Sequence, residues 1–227
     1  MEILQNWYYL LAGGLIVYFF CNINFAIIFT KRIKHQDIRQ LGSKNPGTTN
    51  VVRNFGLKLG LLTFACDLSK GVMAALLAKY ALSALTDSLA VTTFGGYFFG
   101  ACAVLGHVRP VFLKFKGGKG IATSLGLFLM LHPWFTLATL FLAVIIILTT
   151  DKVSIFALIH ITAQTVYTAV TVFTNAYLTE QYAALLSFIA VFITWVVIII
   201  AHRQNIVRLI RGEEKGIGIK KLVFKEK

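Results

Sequence analysis

The chain has 227 residues, 57% of them apolar and 14% charged, with a mean hydropathy of +0.76. A soluble domain carries about a quarter charged residues and under half apolar ones, so soluble globular, disordered, collagen-like and disulfide-framework classes are excluded. A polytopic membrane protein remains, and its 22 Lys+Arg against 9 Asp+Glu, net +13, suit an anionic leaflet, an anionic ligand or both.

Taken in chain order, the first predicted span covers about Trp7–Thr30. Glu2 rather than a basic region precedes it, which argues against a cleaved signal peptide. The second covers about Leu57–Leu77 and carries Asp67 and Lys70 inside it; the third covers about Leu89–Leu105. Ile121–Thr149 is apolar but interrupted by His132-Pro133, where proline ends or kinks a helix. It is either one kinked span or two pieces, Ile121–Leu131 and Trp134–Leu148. Two more follow, about Val153–Phe173 and Tyr182–Ala201. The cysteines Cys21, Cys66 and Cys102 lie in apolar runs without pairing or metal-ligand spacing, and read as small packing residues.

Charge placement decides the count. Lys31–Lys58 holds seven basic residues, Gly106–Lys119 four, Thr150–Lys152 one and Arg203–Lys227 eight. If Ile121–Thr149 is divided, seven spans result and 20 of the 22 basic residues fall on one side, the cytoplasmic one. The expected fold is therefore an all-α polytopic integral membrane protein of seven transmembrane helices. Its N-terminus lies outside, its C-terminus is cytoplasmic, and residues 1–227 form a single domain.

Three polar segments stand on that face. In the first, Leu41–Arg53, Ser43, Asn45, Gly47, Thr49 and Asn50 make a loop whose N–H groups can converge on an oxyanion, and Arg53 can bind a phosphate bidentately. A solvated turn followed by a helix cap uses the same residues. The second, Gly106–Thr123, holds His107 and the turn Gly117-Gly118-Lys119-Gly120, a phosphate-cradle pattern that also serves as a positive-inside loop. It is not a nucleotide-binding P-loop, because Leu113 stands where the first glycine belongs. In the third, His202, Asn205 and Arg208 recur every three residues and share a helix face at the membrane surface. Asp67 and Lys70, three residues apart, can neutralise each other within the bilayer and read chiefly as a structural ion pair.

These strings, GSKNPGTTNVVR, DLSKG, GHVRPVFLKFKGGKGIAT and HRQNIVRLIRGEE, in this order, resemble the bacterial acyl-phosphate:glycerol-3-phosphate acyltransferase family over nearly the whole chain. The sequence departs from the family pattern at Lys44, where glycine is usual, and at Thr48, where alanine is usual. The resemblance implies transfer of a fatty acyl group from acyl phosphate to the 1-hydroxyl of sn-glycerol 3-phosphate, giving lysophosphatidic acid and phosphate. It implies a multi-pass enzyme of the bacterial inner membrane with a cytoplasmic active site. Ser43, Arg53 and Lys119 would hold phosphate groups, and His202 and Asn205 would orient the glycerol or polarise the acyl carbonyl. Asn45, Gly47, Thr49, Asn50, His107, Gly117, Gly118, Gly120 and Arg208 would complete the binding site.

An activated acyl phosphate needs mainly positioning and charge stabilisation, so substrate-assisted transfer without an acyl-enzyme is expected. No histidine is followed by aspartate five positions on, which fits a donor other than acyl-CoA. Neither a metal, nor another cofactor, nor nucleic acid is expected, and a monomer in the lipid bilayer is. The rival is a membrane carrier of a phosphorylated metabolite, which would need basic residues along a path through the bundle.

Overall fold

In this computed structural model, residues 2–175 and 181–218 are described, and their regular structure is entirely helical. Glu180 and the basic residues of 219–227, which bear on the expected orientation, lie outside them. The described helices of eight or more residues begin with α1 (Trp7–Cys21), α2 (Phe25–Lys34), α3 (Thr48–Phe55), α4 (Leu57–Leu77) and α5 (Leu89–Val108). They continue with α6 (Ile121–Leu131), α7 (Pro133–Thr150), α8 (Val153–Thr174), α9 (Gln181–Ala201) and α10 (Arg203–Ile210). Six stretches, Trp7–Lys34, Leu57–Leu85, Leu89–Leu113, Pro133–Thr150, Val153–Thr174 and Gln181–Ala201, are long and apolar enough to cross a membrane.

The first span is not continuous as the hydropathy suggests. It breaks between α1 and α2, where Asn22 donates to the Tyr18 carbonyl (2.6 Å) and Asn24 accepts from the Ile27 N–H (2.9 Å) as the N-cap of α2. Asparagine side chains compete with the helical ladder, and two of them two residues apart end it. A carbonyl freed by the break, that of Ile23, accepts from the ammonium of Lys70.

The division at His132-Pro133 is present, with Pro133 at the first position of α7. His132 bridges the junction to its neighbours, bonding the Tyr97 hydroxyl (3.0 Å) and the Gln164 amide oxygen (3.3 Å), while Gln164 donates to Thr136 (2.9 Å). Such pairing is what permits a backbone break at membrane depth. At 11 residues, or about 16 Å, α6 is too short to cross a 30 Å hydrocarbon core alone.

What α6 lacks in length it makes up in contact with α4. A side chain at Gly71 would strike the Thr123 carbonyl and the Leu127 N–H, and one at Gly126 would strike the Leu68 carbonyl. The two backbones therefore touch where both helices carry glycine, as membrane helices without a hydrophobic driving force favour. Gly126→Val should lower stability by about 3 kcal/mol or more, through overpacking against main chain that cannot yield. Thermal unfolding in detergent checks this against Leu62→Ala on the outer surface. Equal midpoints would refute the close contact.

Candidate active site

Polar and apolar chemistry meet in one cavity of about 460 Å³ between α3, α4, α6, α7, α8, α10 and the segment after α10. Each polar segment singled out in the sequence supplies part of its wall. The first begins as a loop wound around Asn50, which is almost fully buried. Its amide donates to the carbonyls of Ile38 (3.3 Å), Leu41 (3.0 Å) and Asn45 (3.1 Å), and its oxygen accepts from the Ser43 N–H (3.1 Å). Asn50 thus shapes the loop, while Ser43, Asn45, Gly47, Thr48 and Thr49 line the cavity beside it. The Thr48 hydroxyl is buried against that space without a hydrogen-bond partner.

Arg53 follows one turn into α3, half-buried at the cavity edge. Its guanidinium donates to the carbonyls of Gly216 (2.9 Å) and Lys215. Burial lowers its pKa, with Glu214 pulling the other way, and an arginine so placed stays charged at neutral pH.

The second segment is carried by a buried relay that starts inside the bilayer. Lys70 donates to Asp67 (2.9 Å), and the His107 ring lies 3.5 Å from the same carboxylate oxygen. The His107 carbonyl then accepts from the Gly118 N–H (3.1 Å), and the Val108 carbonyl from that of Gly117 (3.2 Å). At Gly118 a side chain would run into the imidazole, so only glycine lets the turn lie on His107. Gly120 takes φ +88° to open α6, a left-handed conformation that glycine adopts at no cost. The intramembrane pair is thus structural, as its spacing suggests, and it also braces the site, since Asp67 and His107 both line the cavity.

Lys119, presented by this turn, donates to the Asn205 oxygen. Burial pushes its ammonium down to about 8, helped by Arg208 and Arg53 and opposed by Glu214. Asn205 in turn donates to Glu214 (2.6 Å), which also accepts from Ser154 (2.9 Å) and from Arg208 (2.7 Å). Burial works against charge on Glu214, yet the bonds from Arg208, Asn205 and Ser154 outweigh it and hold the carboxylate below its ordinary range.

His202 marks the junction of α9 and α10, its Nδ1–H donating to the Ile198 carbonyl (2.9 Å). That tautomer leaves Nε2 as an acceptor. Burial, reinforced by Lys119, lowers the imidazole pKa to about 4, so the ring is neutral at physiological pH.

The rest of the cavity is hydrocarbon. Leu57, Leu61 and Phe64 of α4, Leu125 of α6, and Leu140 and Val144 of α7 form an arm leading away from the cations. Leu61 and Val144 line it and are still 54% and 55% exposed, so the arm opens sideways on the apolar outer surface.

Every residue assigned to the site by sequence lies in or against this cavity. Gly117 and Gly118 shape its turn without lining it. The residues missed are Ser154, Glu214 and the apolar arm. Glu214 carries a signal in its place beside Arg208, whereas Ser154 and the arm are indistinguishable from other span residues.

The chain matches the model of the glycerol-3-phosphate acyltransferase family over residues 11–212. It is 37% identical over 214 residues to the glycerol-3-phosphate acyltransferase of Finegoldia magna, covering 94% of this chain and 99% of that one. The Clostridioides difficile enzyme of the same name is also 37% identical, over 208 residues, 92% of this chain and 95% of that one. A crystal structure of PlsY, an integral membrane glycerol 3-phosphate acyltransferase, in its glycerol 3-phosphate form superposes with a TM-score of 0.76 at 31% identity, covering 95% of this chain and 98% of that one. The lysophosphatidic acid form gives 0.68 at 32% identity, covering 91% and 94%. With a cationic pocket joined to a lipid-facing arm and relatives matched from end to end, the chain belongs to the glycerol-3-phosphate acyltransferase family.

Proposed function

We propose that this glycerol-3-phosphate acyltransferase uses acyl phosphate as donor and acylates the 1-hydroxyl of sn-glycerol 3-phosphate, releasing lysophosphatidic acid and inorganic phosphate. The observation that carries this reading is the continuity of one cavity from Lys119, Arg53 and Arg208 to the apolar arm. Two phosphates need the cations, and a fatty chain needs an arm open to lipid. Arg53, Lys119 and Ser43 hold the phosphates, with Asn45, Gly47, Thr49 and Arg208 around them. The acyl chain lies along Leu61, Phe64, Leu125 and Leu140.

In the transfer step the 1-hydroxyl oxygen bonds to the acyl carbonyl carbon, and the bond from that carbon to the phosphate oxygen breaks. Lys119 and Arg53 meet the charge that gathers on the leaving phosphate. At a pKa of about 4, His202 is too weak a base to hold the hydroxyl proton at neutral pH. Its Nε2 accepts a hydrogen bond from the glycerol and orients it, and a phosphate oxygen of the substrate takes the proton. No covalent acyl-enzyme forms.

The molecule is a monomer of one domain, residues 1–227, in the bacterial inner membrane. Seven membrane-embedded helices, α6 being a half-length one, set the N-terminus outside and the C-terminus and active site on the cytoplasmic side. The described basic residues other than Lys70 and Lys79 lie in segments 31–58, 106–119, 150–152 and 203–215, and their grouping supports that orientation.

Purified protein in lipid, offered acyl phosphate or acyl-CoA with labelled glycerol 3-phosphate, tests the donor. Lysophosphatidic acid should form from acyl phosphate alone; equal turnover with acyl-CoA, or substrate uptake into vesicles without acylation, would refute the reading. A pH profile tests the phosphate assignment. Lys119 is charged below about 8 and neutral above it, so kcat/KM for glycerol 3-phosphate should fall roughly tenfold per pH unit on the alkaline side. Lys119→Arg should move that limb to higher pH. An alkaline limb unmoved in this variant would assign it to another group.

A further inference from the structure

Beside the catalytic cavity lies a second one of about 410 Å³, and most of its lining residues are polar or cationic. Lys44 reaches it from the first loop, Lys116 from the turn before Lys119, and Arg203 from the start of α10. Arg39 adds a fourth cation, itself drawn to Asp37 at 2.6 Å. Among the described residues no carboxylate lines this space, and none forms a salt bridge with Lys44, Lys116 or Arg203, all three exposed.

The two cavities share a wall. Ser43, Asn45, Lys119 and Arg208 line both, so an anion in the second space is one side chain away from the phosphate-holding groups of the first. Lys44 stands at φ +58°, a left-handed conformation that L side chains rarely adopt. His35, Lys114, Phe115 and Asp151 also take positive φ, so the backbone alone assigns Lys44 no role; what sets it apart is its ammonium at a cavity whose described lining holds cations and no carboxylate.

We propose that this second cavity is a capture site for a water-soluble phosphate dianion, through which glycerol 3-phosphate reaches, and inorganic phosphate leaves, the catalytic pocket. This rests on the reading that both are handled in that pocket. A cleft lined by one sign of charge focuses the field and raises the local concentration of a dianionic substrate. The donor's acyl chain lies in the apolar arm, none of whose residues lines the second cavity.

The test is steady-state kinetics in nanodiscs of neutral lipid, comparing the wild type with Lys44→Gly and with the triple variant Lys44→Gly/Lys116→Gln/Arg203→Gln. At low salt the KM for glycerol 3-phosphate should rise about threefold in the single and roughly tenfold in the triple variant. Turnover number and the KM for acyl phosphate should stay within twofold. Inhibition by added inorganic phosphate should weaken in parallel, and at high salt the variants and wild type should converge. Unchanged KM and phosphate inhibition at low salt would overturn the proposal. So would an effect seen only after anionic lipid is added, which would assign the cavity to a headgroup. Equilibrium dialysis of glycerol 3-phosphate without any acyl donor keeps the two readings apart. A wild type that forms no lysophosphatidic acid refutes the reaction, whereas equal affinity in wild type and triple variant refutes the capture site.

Discussion

Replacing Lys119 by alanine should lower kcat/KM for glycerol 3-phosphate by about 10²–10³-fold, the loss seen when one preorganised donor to a developing charge is removed. Three cations, Lys119, Arg53 and Arg208, border the polar end of the cavity, and Arg208 is already bonded to Glu214 at 2.7 Å. The net charge available to two phosphates therefore depends mainly on the other two. The Lys119 ammonium also holds the Asn205 oxygen, so its loss frees the amide that bonds Glu214. Arg53→Ala should cost a similar factor, because a bidentate guanidinium has no replacement nearby. If both groups act on the same phosphate, the double variant should lose less than the product of the two factors. Steady-state rates, read beside the circular dichroism of the purified variants, check this. Wild-type turnover in either properly folded variant would remove the phosphate assignment.

Breaking the intramembrane pair should have the largest effect on stability. Lys70 is fully buried, 2.9 Å from Asp67, and also satisfies the carbonyl of Ile23 at the α1–α2 break. Lys70→Met leaves the Asp67 carboxylate with His107 alone at 3.5 Å and orphans that carbonyl. An uncompensated buried charge costs about 3–5 kcal/mol, so the thermal unfolding midpoint should drop steeply. The double variant Lys70→Met/Asp67→Asn should regain part of the loss, since no charge is then left unpaired. Because the Gly117-Gly118 turn rests on His107, the folded fraction of Lys70→Met should also show a raised KM for glycerol 3-phosphate. An unfolding midpoint equal to that of the wild type would contradict the relay.

Much of this site is local in sequence, and that part is legible. Gly117-Gly118-Lys119-Gly120 opens a helix, Ser43 to Arg53 leads into one, and His202, Asn205 and Arg208 share a helix face, so short-range periodicity and turn chemistry identify them. What joins them is not local. Ser154 meets Glu214 across 60 residues and Lys119 meets Asn205 across 86, and no spacing rule announces such pairs. The apolar arm is hidden for a different reason. Leu61 or Val144 facing a substrate chain is chemically the same as Leu62 or Ile145 facing lipid. The fold shows the same division. His132-Pro133 marks a boundary that any helix must respect, whereas Asn22 and Asn24 end α1 by weaker local bonds, to which the Asn24 amide adds a tertiary one by donating to the Pro46 carbonyl at 3.1 Å. Charge placement divides Ile121–Thr149 into two passes but carries no information on depth, so the half-length of α6 is seen only in the structure.

The measurement that bears most directly on the account is a high-resolution structure with glycerol 3-phosphate bound at saturating concentration. The phosphate should lie within hydrogen-bond distance of Lys119 and Arg53, with the glycerol hydroxyls toward Nε2 of His202 and the mouth of the arm lined by Leu61 and Phe64. A glycerol 3-phosphate bound away from both Lys119 and Arg53, with the catalytic cavity left empty, would contradict it.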